Sequence, residues 1–146
     1  MTIETVLLTV GGDTDRRIDE MAQTTIQEIS GTDAEVVLLH VFDRDEFRSL
    51  ADRMNFPVWT EPSRLAERNT TIMQIKERLE AAGISVTVAG ALGDRTDAIL
   101  ETAEDVEADR IIVGGRKRSP VGKALFGSTA QQVMLNASCP TTFVRA

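Results

Sequence analysis

Apolar positions along the chain follow two alternating periods. Val6-Leu7-Leu8-Thr9-Val10 is a short apolar, partly β-branched run closed by Gly11-Gly12, the pattern of a buried strand. From Asp13 or Asp15 onward, Ile18, Met21, Ala22, Thr25, Ile26 and Ile29 recur at three- and four-residue steps. That spacing predicts an amphipathic helix, with acidic residues in its first turn and Gly31 just past its end. Val36 to Phe42 is a second apolar run and a second predicted strand. The next stretch, Asp43 to Pro62, has no clear period. It reads as a long connection, with at most a short helical turn around Glu46 to Met54.

Helical spacing returns from Ser63 through Leu65, Ile72, Ile75 and Leu79, with Pro62 at the entry and Gly83 as the stop. Ile84 to Ala89 alternates, as a strand with one more polar face does, and Gly90 and Gly93-Asp94 are expected to punctuate the turn after it. A helix from about Thr96 to Val106 follows, presenting Ile99, Leu100, Ala103 and Val106 on one side. Arg110 to Gly114 is the fourth predicted strand. A last helix begins at Ser128, carrying Ala130, Val133, Met134 and Ala137, and Pro140 opens a final short strand from Thr141 to Val144.

Buried strands separated by amphipathic helices imply an α/β fold. It is a three-layer sandwich of a five-stranded parallel sheet with helices on both faces. A length of 146 residues suits a single domain over 1–146. In such sheets a ligand binds beyond the carboxyl ends of the strands, where the strand order reverses. The loops to watch are therefore Gly11 to Asp15, Asp43 onward, Gly90 to Arg95 and Gly114 to Gly127.

Composition narrows the chemistry. The net charge of −7 sets a field that repels nucleic-acid backbones, so no nucleic-acid partner is expected. The basic residues are 13 arginines and 3 lysines, and an acidic, lysine-poor surface suits either a salt-rich cytoplasm or an ordinary acidic protein. No apolar run approaches the roughly 18 residues that cross a bilayer, and Met1-Thr2-Ile3-Glu4 has neither a basic nor an apolar leader region. A cytoplasmic protein with no membrane partner is expected. One cysteine, Cys139, and one histidine, His40, exclude a disulfide within the chain and a cysteine- or histidine-rich metal site. Cys139 reads as a small hydrophobe, His40 as a core or strand-end residue.

The richest stretch runs from Gly114 to Thr129. Gly114 directly follows a buried strand, where the missing Cβ admits a close ligand or backbone. Gly127-Ser128-Thr129 opens a helix, and the free N–H groups there, with the helix dipole, favour an anion; Ser128 is a candidate cap for them. Arg116, Lys117, Arg118 and Lys123 place four of the 16 basic residues within eight positions. The loop is not a Walker A loop, since Gly122-Lys123 is followed by Ala124. A solvated basic loop paired with nearby carboxylates is the alternative reading.

Three stretches carry a family resemblance. They are Leu38-Leu39-His40-Val41, Ala108 to Gly114, and Gly127-Ser128-Thr129-Ala130 with Cys139-Pro140. From end to end the chain resembles the universal stress protein (UspA-like) family, whose domain has the adenine-nucleotide alpha-hydrolase-like, Rossmann-like fold. The resemblance implies a stress-response regulator that binds ATP or AMP at the carboxyl edge of the sheet. It also implies a homodimer through the C-terminal edge strand. The ATP-binding pattern of that family, Gly-x2-Gly-x9-Gly-[Ser/Thr], begins here at Gly114 and ends at Gly127-Ser128, but Lys117 stands at its middle glycine. Gly11 likewise stands where relatives carry an Asp, with Asp13 two residues on.

The resemblance thus implies nucleotide-binding residues Thr9, Val10, Gly11, Gly12, Asp13, Val41, Val113, Gly114, Gly115, Arg116, Lys117, Gly127, Ser128 and Thr129, with ATP and Mg²⁺ as the candidate cofactor. No general base or nucleophile stands out at these loops, so catalysis beyond weak ATP hydrolysis is not expected. The two departures keep open a nucleotide-free, dimeric interaction module of the same fold. Asp13 and Asp15 have the alternative role of helix caps. Asp94 and Arg95 read as a helix entry at the ligand edge, with nucleotide contact as the alternative. Met54, Phe56 and Trp59 read as side chains packing the long connection down, with a lid or partner patch as the alternative.

Overall fold

The structure is a computed structural model, and it describes residues 3–11, 17–57, 59–115 and 127–145. Five strands, β1 (Thr5–Val10), β2 (Glu35–Phe42), β3 (Val86–Leu92), β4 (Arg110–Gly115) and β5 (Thr141–Arg145), form one sheet in the order β3-β2-β1-β4-β5. All four pairings are parallel. The helices are α1 (Ile18–Ile29), α2 (Arg44–Arg53), α3 (Pro62–Ala66), α4 (Thr70–Ala81), α5 (Arg95–Asp105) and α6 (Ser128–Asn136).

Side chains alternate across the strands and build a core on each face. Val6, Leu8, Val36, Leu38 and Ile112 pack against Met21 and Ile29 of α1 and against Ile72, Ile75 and Leu79 of α4. On the opposite face Leu7, Val37, Leu39, Val41, Ile111 and Val113 meet Ala98, Ile99 and Ala103 of α5 and Ala130 and Val133 of α6. A third cluster, Phe42, Phe47, Ala51, Leu65 and Ala66, seats α2 and α3 beyond the end of β2.

The connection after β2 is more ordered than its sequence suggests. Asp43 accepts the Glu46 N–H at 2.7 Å and caps α2, a ten-residue helix. It buries only Phe47 and Ala51, too few apolar positions to show a period. The single helix expected from Ser63 to Leu79 is two. α3 ends at Ala66, and Asn69 restarts the chain as α4 by accepting the Ile72 N–H at 3.0 Å. Packing of the connection holds for Phe56, which lies against the third cluster between Arg64 and Arg68. It fails for Trp59, which is 81% exposed.

The strand expected over Ile84 to Ala89 is shifted to Val86–Leu92, and Gly90 lies inside it rather than in a turn. A Cβ at Gly90 would stand 2.3 Å from the Pro62 carbonyl oxygen, so the backbone of α3 packs directly on this glycine. Ser63 Oγ accepts the Gly90 N–H at 3.0 Å. The turn follows at Gly93, whose φ of +119° suits glycine. Gly31 past α1 and Gly83 past α4 also adopt positive φ, as stops of the expected kind. Among the described residues no helix is long and apolar enough to cross a membrane.

Candidate ligand crevice at the strand switch point

The chain moves from β1 outward to β2 and β3, then returns to β4 on the other side of β1. The switch point therefore lies between β1 and β4, and the pairing opens there. β1 and β4 are paired from Val6↔Arg110 to Leu8↔Ile112 only. β1 remains paired to β2 through Val10↔His40, and β4 to β5 through Gly115↔Arg145. The two central strands thus part over their last residues, leaving a crevice of the kind that holds ligands in open parallel sheets. Thr9 sits at the fork, buried, with its hydroxyl donating to the Ile112 carbonyl at 3.3 Å.

Several expected site residues meet at this crevice. Thr9, Val10 and Gly11 end β1, and Val113, Gly114 and Gly115 end β4. Gly127 is the N-cap of α6, and Ser128 and Thr129 lie in its first turn. The expected cap is corrected here: Ser128 is the first helical residue, and no side chain among the described residues caps α6. The cap side chain must stand one residue earlier, where Gly127 has none. Val41 is the penultimate residue of β2, with its side chain inside the α5–α6 core. Gly12, Asp13, Arg116 and Lys117 lie outside the described residues, as do Asp15, Arg118 and Lys123.

Among the described residues, Arg17 and Arg95 border the crevice. Arg17, just before α1, is only 4% exposed, and its guanidinium lies 3.4 Å from where a Gly114 Cβ would stand, beside Met21. Any side chain at 114 would have to displace these groups. Arg17 precedes Met21 and Thr25 at four-residue steps and so falls on the buried stripe of α1, a place that an apolar pattern does not mark for a cation. Arg95 is the first residue of α5, where Asp94 supplies the cap by accepting the Asp97 N–H at 3.0 Å. Its guanidinium reaches 3.9 Å from where a Gly11 Cβ would stand.

His40 lies at the carboxyl end of β2, 9% exposed, edge-on to Phe42 with the ring centres 4.4 Å apart. Its Nε2 is 3.8 Å from the Glu46 carboxylate, and its Nδ1 has no hydrogen-bond partner among the described residues. Burial holds the imidazole below its ordinary pKa, the Glu46 charge pulls it back up, and the Arg95 charge pushes it further down. The strand-end reading of His40 stands. Cys139 is half-buried after α6, and desolvation, aided by the Asp109 charge, raises its thiol pKa. Among the described residues no three His, Cys, Asp or Glu side chains cluster as a metal site.

The chain is thus a doubly wound α/β domain whose parallel sheet forks at its switch point. Residues 2–145 match the model of the universal stress protein family, and the chain belongs to that family. A universal stress protein of Methanocaldococcus jannaschii is 28% identical over 126 residues, 86% of this chain and 74% of the relative. Among solved structures, the universal stress protein from Archaeoglobus fulgidus in complex with dAMP superposes with a TM-score of 0.67. It is 18% identical, with 99% of each chain covered. An Arabidopsis thaliana family protein with AMP bound gives 0.60 at 16% identity, covering 97% of this chain and 91% of the other. At those identities the two structures establish the shared fold.

Proposed function

We propose that this chain is a stress-response regulatory protein that binds an adenine nucleotide in the crevice between β1 and β4. The observation that carries this reading is the fork itself. The β1–β4 ladder stops at Leu8↔Ile112, and the bare glycine backbones at 11 and 114 border the opening. The phosphates would lie between Gly114–Lys117 and the start of α6 at Gly127-Ser128-Thr129, where uncapped N–H groups and the helix dipole favour negative charge. The base would lie near Val41 and the Thr9–Gly12 turn, with Asp13 at its margin. The family's AMP- and dAMP-bound structures support this choice of ligand. Mg²⁺ would arrive with the phosphates of ATP, since Mg²⁺ commonly binds through substrate phosphates. The reading is of a cytoplasmic sensor rather than a dedicated catalyst.

Equilibrium dialysis against ATP and AMP, with and without Mg²⁺, tests the reading. Saturable binding at one site per chain is expected, and no binding at millimolar nucleotide would overturn it.

Homodimerisation through β5 forms part of the same proposal. Both β3 and β5 are edge strands, but Ser63 already occupies an outward N–H of β3 at Gly90. β5 is the edge with Thr141, Thr142 and Phe143 half-buried in the single chain, ready to gain from pairing with a second copy. Light scattering at working salt is expected to give twice the chain mass of 16.0 kDa.

A further inference from the structure

Arg95 occupies a position that helix electrostatics disfavours. It is the first residue of α5, where the positive end of the helix dipole repels a cation. Its side chain is exposed and makes no ion pair or hydrogen bond with the described residues. Neither neighbouring carboxylate pairs with it directly: Asp94 caps the helix by accepting the Asp97 N–H, and Asp97 makes no bridge to it. The guanidinium instead reaches over Gly11, at the end of β1, where the lack of a side chain leaves room above the backbone.

The topology separates this cation from the other anion-attracting feature of the crevice. α6 begins after β4, on the β4–β5 side of the switch point, whereas Arg95 arrives from the β3 side and lies over β1. A nucleotide with phosphate at α6 and its base toward Val41 would place its sugar between the two. A guanidinium can donate to a sugar hydroxyl only as to a neutral acceptor, whereas to a phosphate ester oxyanion it makes a stronger, charge-assisted and often bidentate contact. We infer that Arg95 is a specificity-determining residue that selects adenine nucleotides carrying a second anionic group on the ribose. This inference rests on the nucleotide-binding reading above.

His40 supplies an independent reporter. The charged groups that act on it among the described residues are Glu46 from α2 and Arg95 from α5; Val10 of β1 offers it only a carbonyl, and Phe42 of β2 an aromatic edge. An anion seated on Arg95 cancels the charge that opposes His40 protonation, so binding raises the His40 pKa. As the chain's one histidine, it gives an unambiguous imidazole resonance.

The experiment compares AMP with adenosine 3′,5′-bisphosphate on the full chain, as wild type, Arg95→Gln and Arg95→Lys. The wild type is expected to bind the bisphosphate about tenfold or more tightly than AMP, as a charge-assisted contact implies. Arg95→Gln should lose that preference, and Arg95→Lys should retain part of it. Proton NMR should show the bisphosphate raising the His40 pKa in the wild type and not in Arg95→Gln. Equal wild-type affinities for the two ligands, or a preference that survives Arg95→Gln, would overturn the inference while nucleotide binding stands. Absence of binding to either nucleotide would overturn both.

Discussion

Gly90 shows how one residue fixes the placement of an element. With no Cβ, it lets the Pro62–Ser63 backbone rest directly on β3, and its N–H is taken up by Ser63 Oγ. Gly90→Ala forces α3 away from the sheet, because the new methyl would meet a carbonyl oxygen and not the yielding end of a side chain. The expected cost is about 2–3 kcal/mol by urea unfolding, in the range of an overpacked core. A change below about 0.5 kcal/mol, as at an unconstrained surface site, would contradict the close approach. The sequence showed the glycine but not its role. A glycine that ends a strand and one that admits a neighbour look the same until the neighbour is known.

Element boundaries were legible wherever a cap residue or a stopping glycine marks them. Asp94 caps α5, as its position before a helical run suggests, and Gly31 and Gly83 follow α1 and α4. Asn69 was missed because Leu65 and Ile72 keep helical spacing across the break, and periodicity cannot see a restart that preserves the buried face. The cap is nonetheless a definite contribution. Asn69→Ala is expected to lower stability by about 1 kcal/mol. Asn69→Asp should restore most of it, since either side-chain oxygen accepts the Ile72 N–H. Denaturant midpoints for the pair, compared at constant m-value, check this.

At the scale of the whole molecule, charge networks tie distant segments together. Glu28 of α1 accepts from Arg110 of β4 at 3.0 Å and from the Thr142 hydroxyl of β5, joining one helix to two strands. Asp109 accepts the Glu4 and Thr5 N–H groups at 2.8 and 3.0 Å, fastening the start of β1 to the approach to β4, and these bonds hold its carboxyl below the usual range. The signs of the two titrations agree. Asp109, depressed in the folded state, contributes above the unfolded value of about 4 and loses that contribution as pH falls through its folded pKa. His40, also depressed by burial, charges first in the unfolded chain, so stability declines as pH drops below about 6.5. The urea midpoint is therefore expected to fall between pH 7.5 and 5.5, a window set by His40. His40→Gln should flatten that dependence, and an unchanged slope in the variant would exclude His40 as its source.

The amino-acid sequence by itself determined the five strands, their alternation with helices, the two-faced core and the family. Each of these follows from local periodicity and from short motifs that survive without their neighbours. It also marked Gly114 as a position where a missing Cβ admits a close ligand or backbone. Only the tertiary structure decided that α3 and α4 are separate, that Gly90 is a seat for α3, and that the β1–β4 ladder opens after Leu8↔Ile112. It alone brought Arg95 from the start of α5 over Gly11, some eighty positions earlier in the chain. The reason is physical: a side chain's propensity is local, whereas the charge it meets is set by whichever strand the sheet order places beneath it.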